Sequence, residues 1–236
     1  MRRFTSVADR DAVEAEGPYA DRNQPVTIHQ FLTSTRDRFP DRPAISFQLL
    51  SGPKDRAETL TWRALHARVT QMANLFRSLG VGETDVVAYL LPNCTETAAV
   101  LLAGAVAGKV SPINPLLDPD QVAAILRDSG AKVLVTLKSF PHSDVAQKAA
   151  RAVAQAPDVR TVLEIDLNRY LTFPKSLIVP FLRPKNPVSH KAAVHDLNAE
   201  ADRMPADRLS FADSTGDRVA PLFHTGGTSR RPHVPQ

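Results

Sequence analysis

Cysteine is nearly missing from this sequence of 236 residues, in which Cys94 stands alone. One thiol can form neither a disulfide within the chain nor a cysteine-based zinc site. The shortage predicts a protein of a reducing compartment, the cytoplasm. We interpret Cys94 itself as a small, semi-buried residue rather than as a nucleophile.

Long hydrophobic runs are missing as well. The longest apolar run, residues 97–107, is too short to span a bilayer. The chain starts with charge, but residues 5–11 supply no apolar stretch of the kind that a secretory signal contains. The sequence therefore predicts neither a transmembrane segment nor a signal peptide.

Aromatic residues make up only 6% of the chain, and its charge is scattered. The net charge is +4, of which Arg230 and Arg231 supply two. No helix combines a basic stripe with interleaved aromatic residues, so the sequence predicts no nucleic-acid partner. With 43% apolar and 23% charged residues, the composition is typical of a globular protein with a real core.

Hydrophobic periodicity indicates an amphipathic helix that begins after Thr61 and ends at Gly80. Its apolar residues follow a spacing of three and four that places them on one helical face. These residues are Trp62, Leu65, Val69, Met72, Phe76 and Leu79. Thr61 is a suitable N-cap, and Gly80 is a suitable end. We interpret the stripe as core rather than as a cofactor contact.

Predicted strands and helices alternate along the rest of the chain. The predicted strands are residues 44–47, 86–90, 109–113, 132–136 and 161–165, and the other predicted helices are residues 27–39, 93–107, 119–129 and 145–154. Capping boxes are predicted for Asn93 with Glu96 and for Asp118 with Gln121. The alternation predicts an α/β fold: a doubly wound, mostly parallel sheet with helices on both faces.

Two stretches interrupt this alternation. Residues 170–185 mix apolar and basic side chains with prolines at 174, 180 and 184. A membrane-surface or acyl-tunnel element is one interpretation, and an irregular apolar excursion packed on the body is the other. Prolines oppose a continuous amphipathic helix and favour the second. Residues 186–217 are polar and are predicted to connect to a final strand at 219–223.

That final strand runs into a glycine-rich loop. Its predicted binding residues are Thr225, Gly226, Gly227, Thr228 and Ser229. Glycine permits positive φ, so successive N–H groups can point at one phosphate, and the hydroxyl groups add further donors. An ordinary turn is the alternative interpretation of the same residues.

Residues 223–229 resemble the first half of the ATP-phosphate loop of AMP-forming acyl-CoA synthetases, the adenylate-forming ligases. Arg230 and His233 stand where that family has glycine and lysine. Other segments resemble its N-terminal region in the same order, namely residues 59–62, 79–81, 87–94, 113–116 and 129–135. The resemblance covers residues 27–228. It implies an irregular segment at 1–26, a partial AMP-binding domain at 27–228 and a divergent tail at 229–236.

The resemblance implies ATP, Mg²⁺, coenzyme A and a fatty acid or other carboxylate as reactants, with possible contact to a membrane surface. In the family, the carboxylate attacks the α-phosphate of ATP, and coenzyme A then displaces AMP. The loop binds the β- and γ-phosphates. The family's other catalytic parts have no counterpart within the chain, so no catalytic residue and no metal ligand is predicted.

Three hypotheses remain open. In the first, the chain is a truncated acyl-CoA ligase that is inactive by itself. In the second, it is a non-catalytic binding or interaction module that keeps the fold. In the third, it is one fragment of a split ligase whose remaining parts come from another polypeptide.

Overall fold

The computed structural model describes residues 5–18, 25–52, 55, 57–184, 188–216 and 218–224. The helices are α1 (Val7–Glu14), α2 (Ile28–Arg38), α3 (Trp62–Ser78), α4 (Thr95–Ala107), α5 (Pro119–Ser129), α6 (Val145–Val153), α7 (Lys175–Ile178) and α8 (Leu197–Asp202). The strands are β1 (Pro43–Phe47), β2 (Glu58–Thr61), β3 (Val86–Leu90), β4 (Lys109–Ile113), β5 (Ala131–Leu137), β6 (Thr161–Ile165) and β7 (Ala193–Asp196). None of the helices within the described ranges has the length and apolarity needed to cross a bilayer.

Five strands form a parallel sheet in the order β4-β3-β5-β6-β7. The chain moves from β3 outward to β4 and then back past β3 to β5. Because such crossovers are right-handed, the reversal places α4 on one face and α5 and α6 on the other. The predicted doubly wound α/β fold with helices on both faces is thus confirmed.

The predicted stripe of α3 forms the centre of one helical layer. Leu65, Val69, Met72 and Phe76 are buried, and full burial of each such side chain contributes roughly 1.5–3 kcal/mol. The Thr61 hydroxyl accepts a hydrogen bond from the backbone N–H of Ala64, which begins the helix as predicted. Helix α3 packs against α2, α4 and α8.

Helix α4 makes its close contact with the sheet at Gly104. A Cβ on Gly104 would meet Val110 of β4 at 3.0 Å and Val87 of β3 at 3.6 Å. The missing side chain therefore permits close contact between α4 and the two strands. Because α4 is also covered by α3, it is apolar nearly all round, as its sequence predicts.

Two histidines, a half-buried His29 and a buried His66, lie between α2 and α3. His29 Nε2 and the Thr70 hydroxyl are 3.1 Å apart, and His66 Nε2 lies 3.0 Å from the Thr33 hydroxyl. The Arg36 guanidinium is 3.3 Å from the ring nitrogens of His66. Burial, followed by the charge of Arg36, lowers the pKa of His66 to about 4, so this imidazole is neutral at neutral pH.

Several segments differ from the sequence-based expectations. Residues 1–26 were expected to be irregular, yet they contain α1, which Ser6 and Asp9 begin with a capping box and which buries no side chain. The polar connection at 186–217 contains β7 and α8. Strand β2, which was not predicted, pairs antiparallel with β1.

The proline-containing stretch forms short helical turns instead of an apolar excursion packed on the body. A 3₁₀ turn at Leu167–Tyr170 is followed by α7 and a second 3₁₀ turn at Val179–Leu182. Phe173 and Phe181 are 79% and 88% exposed. The interpretation that this stretch packs on the body is therefore wrong for its largest apolar side chains.

Candidate functional site

The predicted phosphate loop lies outside the described residues. Its five residues are Thr225, Gly226, Gly227, Thr228 and Ser229. The structure does show how the chain reaches it. We call residues 218–224 the loop approach.

The loop approach runs parallel to the outer edge of β4. Val110 donates its N–H to the carbonyl of Ala220 and accepts a hydrogen bond from the N–H of Leu222, both at 2.8 Å. The next bond of this ladder would need an N–H from Pro112, which proline lacks. The predicted strand at 219–223 is therefore reduced to one bridge, between Val110 and Pro221.

Arg218 fastens the start of the loop approach to the C-terminus of α4. Its guanidinium donates to the carbonyls of Gly108 at 2.6 Å, Ala105 at 2.5 Å and Val106 at 2.9 Å. The last carbonyls of a helix lack partners within it and carry partial negative charge. Arg218 thus satisfies three acceptors at once and fixes the point where the chain joins the sheet edge.

His224 holds the other end of the loop approach. Its Nε2 lies 3.3 Å from the hydroxyl of Ser111, which is fully buried in β4. Burial lowers the pKa of His224, and the charge of Asp128 only partly opposes that effect. A neutral imidazole consequently precedes the loop at neutral pH.

The direction of the loop approach determines where the loop begins. Because it is parallel to β4, it advances toward the carboxyl ends of the sheet strands. Ligands of open α/β sheets bind at that edge. Arg218 and Ser111 were both missed by sequence reasoning, because their partners lie more than a hundred residues away in the chain.

A second polar cluster surrounds Glu96 in the first turn of α4. Its carboxylate accepts hydrogen bonds from Arg169 at 2.6 Å, from Asn198 at 3.0 Å and from the hydroxyl of Tyr170. Arg169 also pairs with Glu58 of β2 at 2.6 Å. We call these five residues the buried-acid cluster. It joins β2, α4, the turn after β6, and α8.

Glu96 is ionised in this setting although its side chain is only 3% exposed. Burial raises the pKa of Glu96, but the hydrogen bonds from Tyr170 and Asn198 and the charge of Arg169 outweigh it, and the pKa is lowered overall. Burial and the hydrogen bond to Glu96 raise the pKa of Tyr170. A carboxylate with these partners is poorly suited to exchange protons, so the cluster is a structural joint.

The predicted capping role of Glu96 is wrong. Helix α4 begins after Cys94, which makes no side-chain cap, rather than after Asn93. With the helix starting later, Glu96 occupies the second helical position and points toward Arg169 instead of reaching back to Asn93. A cavity of about 50 Å³ adjoins the carboxylate, which leaves little room for a ligand.

Cys94 is buried, more fully than the semi-buried position that was expected for it. Burial raises the pKa of its thiol to about 11, so little thiolate exists at neutral pH. Within the part of the chain that the structure describes, no three His, Cys, Asp or Glu side chains come together to hold a metal ion.

Comparison with known proteins identifies the family. The model of the family described as "AMP-binding enzyme" matches residues 32–232, which is most of the chain. This chain belongs to the AMP-binding enzyme family. The matched range includes the loop approach and all five predicted loop residues.

Two curated relatives of this AMP-binding chain agree with the assignment. The long-chain-fatty-acid–CoA ligase of Bacillus subtilis (strain 168) is 27% identical over 87% of this chain and 35% of the relative. The acetyl-coenzyme A synthetase of Yersinia pestis (strain Pestoides F) is 32% identical over 75% of this chain and 26% of the relative. The resemblance to AMP-forming acyl-CoA synthetases is confirmed, and the chain spans about a quarter to a third of these relatives.

Solved structures share the fold of this AMP-binding chain. The anthranilate CoA ligase AuaEII in complex with anthranoyl-AMP aligns with a TM-score of 0.66 at 17% identity, over 92% of this chain and 35% of that one. Brucella canis acyl-CoA synthetase aligns with a TM-score of 0.65 at 19% identity, over 95% and 37%. At these identities the likeness establishes the fold.

Proposed function

We propose that residues 27–228 are the part of an AMP-forming acyl-CoA ligase that presents the ATP-phosphate loop. In this proposal residues 225–229 bind the β- and γ-phosphates of ATP, with coenzyme A and a fatty acid or other carboxylate as the remaining substrates. The observation that carries it is the family match across residues 32–232, which includes this loop. The lone, buried Cys94 supports a cytoplasmic setting.

The ligase reaction explains why this loop is needed. A carboxylate oxygen attacks the α-phosphorus of ATP, the bond to the β-phosphate breaks, and pyrophosphate leaves. The sulfur of coenzyme A then bonds to the acyl carbon, loses its proton, and AMP departs. Carboxylate and triphosphate repel each other, so their approach requires oriented N–H donors and hydroxyls. Mg²⁺, when bound, neutralises phosphate charge.

The described residues contribute to this function by positioning. Arg218 fixes one end of the loop approach on α4, and His224 fixes the other on Ser111. Two hydrogen bonds to Val110 hold the middle. A loop that is held in place loses less conformational freedom when it binds phosphate, and its N–H groups are better oriented beforehand.

The residues that follow the loop are expected to weaken its binding of ATP. In the proposed divergent tail at 229–236, Arg230 replaces a glycine, and a β-carbon in left-handed geometry costs roughly 1–2 kcal/mol. His233 replaces a lysine and is mostly neutral at pH 7, since a free imidazole has a pKa of about 6.5. We therefore expect weak binding of ATP by the chain.

We also propose that the 236-residue chain alone does not form acyl-adenylate. The chain spans 26–35% of the two curated ligases compared above, and within the described residues no three His, Cys, Asp or Glu side chains come together. A second polypeptide that supplied the remaining parts would restore activity, which distinguishes a split ligase from a non-catalytic module.

Nucleotide binding tests the loop assignment. Equilibrium dialysis with radiolabelled Mg-ATP is expected to show saturable binding, and Gly227→Val is expected to weaken it at least about tenfold by filling the concavity. Gly216→Ala is the matched control, because a Cβ at Gly216 meets nothing within 4 Å. Equal binding by the wild type and Gly227→Val, or no saturable binding by the wild type, would overturn the assignment.

A further inference from the structure

An open groove lies at the amino ends of β3 and β4, the sheet edge opposite to the one toward which the loop approach advances. Thr84 precedes β3 and Lys109 begins β4, and residues 211–216 with Arg218 complete most of the lining. The groove has a volume of about 780 Å³, which lies in the range of small-molecule sites. We call it the amino-end groove.

The guanidinium of Arg77, at the end of α3, lines this groove and is held in place by stacking. Its central carbon lies 4.3 Å from the middle of the Phe211 ring, and its Nε is buried without a hydrogen-bond partner. Stacking on a ring uses the face of a guanidinium and leaves the N–H groups of its plane available. A guanidinium positioned in this way can bind two oxygens of one anion.

Lys109 supplies a second uncommitted cation. Its ammonium forms no hydrogen bond or ion pair with any residue in the described ranges. Asp85, the acid that precedes β3, is bonded to Lys132 of β5 instead, at 2.7 Å. The positive charge of Lys109 is therefore available to a ligand in the groove.

The other charged side chains of the described lining are engaged. Asp213 accepts a hydrogen bond from the hydroxyl of Thr27 at 2.5 Å, and Glu83 lies 3.8 Å from Nε of Arg218. Arg218 itself is no free donor, since its guanidinium is bonded to the carbonyls at the end of α4. Two cations of the described lining thus remain for an anionic ligand.

This arrangement matches a phosphate group carried by a small organic molecule. A phosphate monoester has a charge of about −1.5 to −2 at pH 7, which two cations balance, and its oxygens fit a planar guanidinium. Thr84 is exposed and adds a hydroxyl donor. Val219, which is 56% exposed in the same lining, offers apolar surface to the organic part of the ligand.

We propose that the amino-end groove binds a small phosphate monoester, with Arg77 and Lys109 as its anion-binding residues. The inference does not depend on ligase activity. It concerns the sheet edge opposite to the one that the loop approach reaches, so this proposal and the assignment of the phosphate loop can fail independently.

An NMR titration of the ¹⁵N-labelled 236-residue chain with phenyl phosphate tests the proposal. We expect saturable chemical-shift changes at the amides of Thr84, Lys109 and Thr215, which line the groove. Inorganic phosphate should shift the same amides with a higher Kd, because it lacks an apolar part. Arg77→Gln should raise the Kd for phenyl phosphate at least about tenfold, and Lys109→Gln by a smaller factor.

Matched variants separate this site from general attraction of anions. Arg160 is exposed at the amino end of β6, outside the groove, so Arg160→Gln should leave the Kd unchanged. Gly227→Val, which is expected to weaken ATP binding, should leave it unchanged as well. Thermal melting verifies that each variant is folded. Lys109→Gln removes no side-chain bond of the described residues, so it remains decisive if Arg77→Gln does not fold.

Four results would overturn the proposal. One is the absence of saturable shifts at the groove amides. Another is an equal rise in Kd for Lys109→Gln and Arg160→Gln, which would indicate unspecific attraction of charge. A third is loss of the shifts in Gly227→Val, which would assign the binding to the phosphate loop. The fourth is equal affinity for phenyl phosphate and inorganic phosphate, which would show that the groove takes the free anion and not a monoester.

Discussion

Helix α4 is held by distant polar side chains at both ends, and the two ends are held in different ways. At its N-terminus Glu96, an ionised acid, is surrounded by Arg169, Tyr170 and Asn198. At its C-terminus the backbone carbonyls of residues 105, 106 and 108 receive the guanidinium of Arg218. The first end buries a side-chain charge, whereas the second neutralises the end of a helix dipole.

The comparison shows how α4 connects two distant parts of the chain. Its N-terminal cluster fixes Arg169 and Tyr170 in the turn after β6, and its C-terminal contact fixes the start of the loop approach. Removing the partner of a buried charge costs more free energy than removing a donor to uncharged carbonyls. We therefore expect the N-terminal end to dominate stability and the C-terminal end to affect the loop approach specifically.

The largest expected effect is that of Glu96→Ala. Removing the carboxylate leaves Arg169, Tyr170 and Asn198 without their shared acceptor, and we expect the free energy of unfolding to fall by about 3 kcal/mol. This value is at the low end of the range for breaking a buried ion pair, because Arg169 keeps its bond to Glu58. Urea denaturation followed by circular dichroism measures the change.

Asp41→Ala provides the control, because Asp41 forms an ion pair with Arg63 in which both side chains are mostly exposed. Its effect should stay within about 0.5 kcal/mol. If Glu96→Ala were no more destabilising than Asp41→Ala, the structural role of the buried-acid cluster would be refuted.

Arg218→Met should have a smaller effect, about 2 kcal/mol, because three helix-end carbonyls lose their donor while the apolar stem is retained. The more specific readout is hydrogen exchange, since the amides of Val110 and Leu222 bond across the joint that Arg218 stabilises. We expect these two amides to exchange faster in the variant than in the wild type, while amides in the rest of the sheet exchange at the same rates in both proteins. Unchanged protection at both amides would contradict the positioning role.

The smallest expected effect at neutral pH is that of the buried His66, which changes stability only when the solution is acidified. Because burial and Arg36 hold the pKa of His66 at about 4 in the folded chain, against 6.5 for the free side chain, the unfolded state binds the proton more readily. Stability should therefore be complete above pH 6.5 and decline as the pH falls toward 4. The lowered pKa values of His29 and His224 act in the same direction.

His66→Gln should flatten this decline without removing it, as measured by denaturation at several pH values. His195→Gln is the control, since His195 is exposed in β7. Equal slopes for the wild type and His66→Gln would show that another group causes the acid sensitivity.

Local patterns in the sequence predicted most of the sheet and the helices that cover it. The stripe of α3, the capping box of Asp118 and Gln121 and the buried β3 each depend on residues close together in the chain, and the structure confirms all three. The elements that were missed have weak patterns. Helix α1 buries no side chain, and every residue of β7 is exposed.

The polar contacts that organise the candidate site could not be predicted in the same way. Glu96 meets Arg169 and Asn198 across 73 and 102 residues of chain, and nothing near Glu96 in sequence distinguishes it from a capping residue. Arg218 likewise reaches α4 across more than a hundred residues. Only the folded sheet brings such partners together, whereas the glycine-rich loop is a local pattern and was visible in the sequence.

The most direct test of the central claim is ATP–pyrophosphate exchange by the purified 236-residue chain, with Mg-ATP and a panel of short- and long-chain carboxylates. If the chain carries the phosphate loop of an AMP-forming ligase without the remaining catalytic parts, it should bind ATP weakly and support no exchange above a blank. Carboxylate-dependent exchange at enzymatic rates by this chain alone would contradict that account.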